Sequence, residues 1–134
     1  MYTAQRRVQF HQTDAAGLMH FASFFTMMEE AEHELLRSLD MSVVLDDECG
    51  RISFPRVSAS CDFSRPIHFE DLVDIEVSVQ RLGKKSVTYE FRFKHNGQEV
   101  ARGLMTSVCC QIDQEPPQSI AIPQRIVEKL SIHM

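Results

Sequence analysis

Residues 8–36 read VQFHQTDAAGLMHFASFFTMMEEAEHELL, and their hydrophobic period changes part-way along. From Arg7 to His11, Val8 and Phe10 alternate with Arg7, Gln9 and His11, which predicts a short strand. From Ser23 to Leu39 the apolar residues Phe24, Met27, Met28, Ala31, Leu35 and Leu39 recur at helical spacing, with Glu29, Glu30, Glu32, His33 and Arg37 as the polar remainder. Such a helix is roughly 25 Å long, enough to traverse a small domain. Phe25 and Leu36 widen the stripe, which predicts burial on more than one side. Between strand and helix, Asp14 stands alone in an Ala-Ala-Gly loop. His20 or Ser23 is placed to cap the helix, and Asp40 to lie just past its end. A carboxylate beside a helix start meets unpaired N–H groups and the positive end of the helix dipole. Together these are two parts of an acyl-transfer site, one to attack or activate water and one to hold an oxyanion. A plain turn or cap uses the same residues, so the rest of the chain has to arbitrate.

Downstream, the period is that of strands. Val57, Ala59, Cys61 and Phe63 alternate with polar residues until Pro66 ends or bends the run. Val73, Ile75, Val77 and Val79 form a second series, and the Leu82-Gly83-Lys84-Lys85 turn follows. Val87, Tyr89, Phe91 and Phe93 form a third, closed by Asn96-Gly97, a hairpin signal because both positions tolerate positive φ. A last strand is expected from about Gln98 to Ile112. Beyond Pro116-Pro117, Pro123 opens a short helix carrying Ile126, Val127 and Leu130. One strand, one long helix and four strands joined largely by hairpins predict an α+β domain. A curved antiparallel sheet of about five strands would wrap round the helix. One domain, residues 1–134, is expected, with a core over about 4–112 and a tail over 113–134.

The chain has 134 residues, a formal net charge of -5 and 43% hydrophobic residues. No basic stripe invites nucleic acid, no apolar run is long enough to cross a bilayer, and the N-terminus lacks a signal-peptide h-region. A cytoplasmic protein is expected, with Cys49, Cys61, Cys109 and Cys110 as free thiols. Neither a CxxC pair nor an HExxH run occurs, so no metal site is expected.

These residues resemble the hot-dog acyl-CoA thioesterases of the 4-hydroxybenzoyl-CoA thioesterase type, over nearly the whole chain up to Ile112. The most specific part is Thr13-Asp14-Ala15-Ala16-Gly17 followed by His20-Phe21 and the aromatic, Met- and Glu-rich helix. Phe63-Ser64-Arg65-Pro66, Phe69-Glu70-Asp71, Gly83 to Tyr89, Asn96-Gly97 and Ala101-Arg102-Gly103 add support. The resemblance implies hydrolysis of an acyl-CoA at sites assembled across a subunit interface, with Asp14 as nucleophile or general base. Gly17 matches the loop glycine, and amides around His20 and Phe21 match the helix end that polarises the carbonyl. A relative carries an aromatic residue followed by histidine, whereas the order here is His20 then Phe21.

The expected site is therefore Asp14 and His20 for catalysis, with Gly17, Phe21, Phe24, Lys84, Lys85 and Ser86 for substrate. For Lys84, Lys85 and Ser86 the choice is between CoA phosphates and a solubilising turn. Phe24, Phe25, Met27 and Met28 are mostly core, with one or two lining an acyl pocket. No cofactor is required, because coenzyme A is part of the substrate and its thiolate leaves with little acid assistance. The acyl group is expected to be aromatic or a short to medium aliphatic chain. Two other readings stand beside this one. The same fold serves as a hydratase or dehydratase using His20 or His33 with a helix glutamate, or as a non-catalytic acyl-CoA binding module. An exposed sheet edge and an uncovered helix flank predict a homodimer or homotetramer with Asp14 near the interface.

Overall fold

The structure, a computed structural model, describes residues 1–48 and 50–134; Cys49 lies outside the described residues. The first strand, β1, runs Tyr2–Arg7, earlier than the expected Arg7 to His11. Ala4 within it and Val8 just beyond it are buried, whereas Phe10 is 77% exposed and packs edge-on against Phe69. The chain leaves the sheet here because the Gln9 N–H donates to the Gln12 side chain at 2.8 Å, and Phe10–Gln12 forms a single 3-10 turn.

Helix α1, Phe21–Ser38, begins two residues before the expected start, because His20 and not Ser23 caps it. Phe24, Met27, Met28, Ala31, Leu35 and Leu36 are buried along it, so the stripe is as wide as its pattern implied. Asp40, just beyond, turns the chain with φ 57.

A short hairpin follows, β2 (Val44–Asp47) and β3 (Gly50–Ser53), where the sequence shows no sustained apolar alternation. Strand β4 runs Arg56–Phe63, β5 Leu72–Leu82, β6 Ser86–His95 and β7 Gln98–Val108. The main sheet has the order β1-β5-β6-β7-β4 and is antiparallel throughout. Val73, Ile75, Val77 and Val79 of β5, and Val87, Tyr89, Phe91 and Phe93 of β6, face the core. Asn96 and Gly97, at φ 52 and 78, make the tight turn into β7. At Gly103 of β7 a Cβ would stand 2.7 Å from Met28 Sδ, so the missing side chain lets α1 approach the sheet closely.

Two expectations about connectivity are corrected. Strand β4 pairs with β7 rather than with its chain neighbour β5, so residues 64–71 cross the end of the sheet instead of turning a hairpin. The long last strand also breaks at Cys109, whose N–H bonds to the Lys85 carbonyl. Cys110–Gln111 (β8) then joins β3 and Gln118–Ser119 (β9) in a second small sheet. Helix α2, Gln124–Ser131, buries Ile126 and Leu130, and the Val79 N–H bonds to the His133 carbonyl.

The apolar side of β4 is not buried. Val57 is 63% exposed and Phe63 48%, because β4 is an edge strand that α1 covers only in part. The reverse surprise is Glu32 on α1, which is 1% exposed. Its carboxylate takes two hydrogen bonds from Arg56, at 2.6 and 2.7 Å, and Arg56 also donates to Ser107 Oγ at 3.0 Å. Burial works against the charge of Arg56, but the hydrogen bonds and attraction of Glu32, with Glu29 behind it, hold its pKa above the usual arginine value.

Candidate active site

The Asp14 loop is built by its own backbone. The Asp14 N–H bonds to the Leu18 carbonyl at 2.8 Å, and the Gly17 N–H returns to the Asp14 carbonyl at 3.0 Å. Gly17 sits at φ 79, a left-handed conformation that glycine adopts without strain. Asp14 Oδ1 accepts from the Ala16 and Leu18 amides at 2.9 and 3.2 Å, which is an Asx-type turn. Oδ2 has no hydrogen-bond partner among the described residues. One carboxylate oxygen therefore orients the group and the other is free to accept a further hydrogen bond.

The helix start is similarly selective. The His20 N–H bonds to the Gln12 carbonyl, the Ser23 N–H to the His20 carbonyl, and the Ala22 N–H to His20 Nδ1 at 3.3 Å. That leaves the Phe21 N–H as the amide of the first turn with no partner among the described residues. His20 is thus a cap that accepts through Nδ1, and its ring packs at a tilt against Phe21, with centroids 4.6 Å apart. The His20-Phe21 order directs Phe21, not His20, into the open.

Asp14 and Phe21 share a cleft of about 410 Å³ with Phe24 and Phe63. Leu18, Met19 and Ile67 form its floor, and Ser64, Arg65 and Pro66 its lip. The 64–71 crossing shapes it: the Met19 N–H bonds to the Ile67 carbonyl at 2.7 Å, and the Ser64 N–H to Val100 at 2.9 Å. Phe24 packs edge-on between Phe63 and Phe93, at 4.8 and 5.1 Å, so this wall of the cleft is aromatic and braced from the core.

Of the expected site residues, Asp14, Phe21 and Phe24 line this cleft; Gly17 shapes its loop and His20 caps the helix behind it. Lys84, Lys85 and Ser86 do not join them within one chain. Lys84 and Lys85 lie in the β5–β6 turn and Ser86 opens β6, whereas the Asp14 loop lies beside the opposite end of β5, whose 11 residues separate the two by roughly 30 Å. Phe63 and Arg65 were missed as site residues. Their segment stood out in the sequence, but its place against the Asp14 loop depends on the crossing.

Other candidate groups are differently engaged. Glu30 and Glu34 pair with Arg6, and His33 Nε2 lies 3.6 Å from Glu32, beside a separate groove of about 260 Å³ near Glu29 and Arg56. Burial, with the Asp62 charge, pushes the Cys61 thiol up to about 11, so it stays protonated and unreactive near neutral pH. Among the described residues, no three His, Cys, Asp or Glu side chains converge as a metal site, and no helix is long and apolar enough to cross a membrane.

An antiparallel sheet packed on one long helix is the hot-dog fold. The sequence profile of the Thioesterase-like superfamily matches residues 8–130, and the chain belongs to that family. It is a thioester hydrolase. A 1,4-dihydroxy-2-naphthoyl-CoA hydrolase of Synechococcus elongatus is 29% identical over 132 residues, which cover 98% of this chain and 96% of the relative. A 1,4-dihydroxy-2-naphthoyl-CoA thioesterase from Synechocystis shares the fold, with a TM-score of 0.84 and 24% identity over 97% of this chain and 95% of that one. A gentisyl-coenzyme A thioesterase gives a TM-score of 0.82 at 28% identity, over 96% of this chain and 99% of its own.

Proposed function

We propose that this chain hydrolyses an aromatic acyl-CoA to the free acid and CoA. The observation that carries the reading is that Asp14, whose Oδ2 has no partner among the described residues, and Phe21, whose N–H has none, line one aromatic cleft. The thioester carbonyl oxygen accepts from the Phe21 N–H as negative charge develops on it. Asp14 takes the proton of a water that attacks the carbonyl carbon, or attacks it itself to form an acyl-aspartyl anhydride that a water molecule then hydrolyses to the free acid, regenerating the carboxylate. The tetrahedral intermediate of either attack expels the CoA thiolate, whose pKa is near that of free cysteine, about 8.5, so no strong general acid is needed. Nothing in this sequence of steps calls for a cofactor. The phenyl walls and the naphthoyl- and gentisyl-CoA names of the relatives support an aromatic acyl group over a short aliphatic one.

A panel of 1,4-dihydroxy-2-naphthoyl-, hydroxybenzoyl-, benzoyl- and alkyl-CoA, followed by release of free thiol, tests the proposal. Turnover should be highest on the aromatic members. Absence of thiol release from all of them, or water addition to an enoyl-CoA instead, overturns it. His33, one of the histidines a hydratase would use, lines the separate groove with Glu29, and neither lines the cleft that holds Asp14.

The single amide can be deleted on its own. Proline is well tolerated at the first helical position, and His20 already has the extended φ -66, ψ 139 that precedes proline comfortably. Phe21→Pro should lower kcat by about 10²–10³-fold relative to Phe21→Ala, which loses the ring but keeps the N–H. Equal rates for the two variants would remove the amide from the mechanism.

The open side of β4 is proposed to pair with a second copy, giving a homodimer or a higher even assembly with Asp14 near the interface. It presents unpaired backbone groups alongside exposed Val57, Ala59 and Phe63. Light scattering at micromolar concentration should give at least twice 15.4 kDa; the mass of one chain argues against pairing.

A further inference from the structure

We propose that Arg65 binds an anionic or hydroxyl oxygen of the acyl-CoA, making it a specificity-determining residue of the cleft. This rests on the acyl-CoA reading above and goes beyond it. Arg6, Arg56, Arg92, Arg102 and Arg125 each reach carboxylates. Arg65 has no ion-pair or hydrogen-bond partner for its guanidinium among the described residues, and it stands at the lip of the cleft that holds Asp14.

Its backbone is fixed. The Arg65 N–H bonds to the Val100 carbonyl at 3.2 Å, as does that of Ser64. Pro66 restricts Arg65 to an extended conformation. The root of the side chain is therefore held at one place on the rim, and the planar guanidinium is a ready donor fork for an oxyanion or a pair of oxygens. The rest of the pocket is phenyl and aliphatic, apart from Asp14 and Ser64. A benzoyl or naphthoyl ring against Phe24 and Phe63 would find no other cation there to meet a ring oxygen. The CoA phosphates are the second source of the same chemistry. Pantetheine has about the backbone length of a tetrapeptide, roughly 13 Å extended, which takes them well away from the carbonyl unless the arm folds back along the lip.

Binding is measured by calorimetry on the full chain carrying Asp14→Asn, so that the readout does not require turnover. Adding Arg65→Gln should weaken hydroxybenzoyl-CoA binding by about 10–100-fold, the scale of a charge-assisted hydrogen bond. Arg65→Lys should recover part of the loss, and thermal melts should match the parent. If the loss vanishes with benzoyl-CoA, the oxygen is on the acyl group. If it vanishes with hydroxybenzoyl-pantetheine, it is a CoA phosphate. Either result supports the assignment. No loss at all, or the same loss on benzoyl-pantetheine, which carries neither ring oxygen nor phosphate, overturns this assignment alone. A parent that binds none of these thioesters, with a wild type that turns over none, overturns the proposed function itself.

Discussion

Asp14→Asn should lower kcat on the best aromatic acyl-CoA by about 10²–10⁴-fold, the usual scale for losing a general base, and leave the thermal midpoint almost unchanged. The two expectations separate because the carboxylate has two tasks on two oxygens. Oδ1 accepts from the Ala16 and Leu18 amides, and an asparagine carbonyl can accept the same bonds. Oδ2 supplies the negative charge, which asparagine does not. Asp14→Ala should lose both tasks and melt lower than Asp14→Asn. Initial rates of thiol release and melting curves on the three proteins check this together. An Asn variant that keeps wild-type kcat would falsify the assignment of Asp14 as nucleophile or base.

The largest effect on stability is expected from Arg56→Met, which should lower it by about 3–5 kcal/mol, or roughly 10–15 °C in Tm. The substitution keeps much of the side-chain volume but leaves Glu32, 1% exposed, without the two hydrogen bonds that compensate its burial. Ser107, fully buried, also loses its donor. Tyr89, packed in the same region, already has its hydroxyl pKa pushed up by burial and then by the Glu32 charge. The paired change Glu32→Met/Arg56→Met removes both charges and should restore most of the loss, since an apolar pair of similar size can replace a buried ion pair. Rates measured well below the melting point should stay near wild type, because Arg56 is at the opposite end of β4 from Phe63 and the cleft. A single variant that melts with the wild type would show that the pair contributes nothing net.

Local signals carried far in this chain. Faultless alternation identified β5 and β6, Asn96-Gly97 the turn into β7, and the wide stripe α1, because each depends on neighbours within one turn or one pleat. The Asp14 loop and the His20 cap were legible for the same reason. What sequence could not supply was closure between distant segments. Nothing near β4 says that it zips to β7, and that pairing makes residues 64–71 a crossing and brings Phe63 and Arg65 to Asp14. The β2–β3 hairpin was hidden because its apolar residues, Val44, Leu45 and Ile52, are too few to set a period. Glu32 was misread for another reason. Polarity placed it outside, yet it stands one helical turn from both Met28 and Leu36, inside the stripe. Lys84 and Lys85 were read as suited to phosphates, and composition does not say at which end of an 11-residue strand their turn falls relative to Asp14.

Phe63 belongs at once to the cleft wall and to the strand proposed to meet a second copy. Occupancy of the cleft and self-association are then thermodynamically linked, since a ligand that favours one packing of that ring favours whatever else the packing requires. By reciprocity, ligand should tighten association by the same factor that association tightens ligand. The apparent affinity for the thioester would then depend on protein concentration.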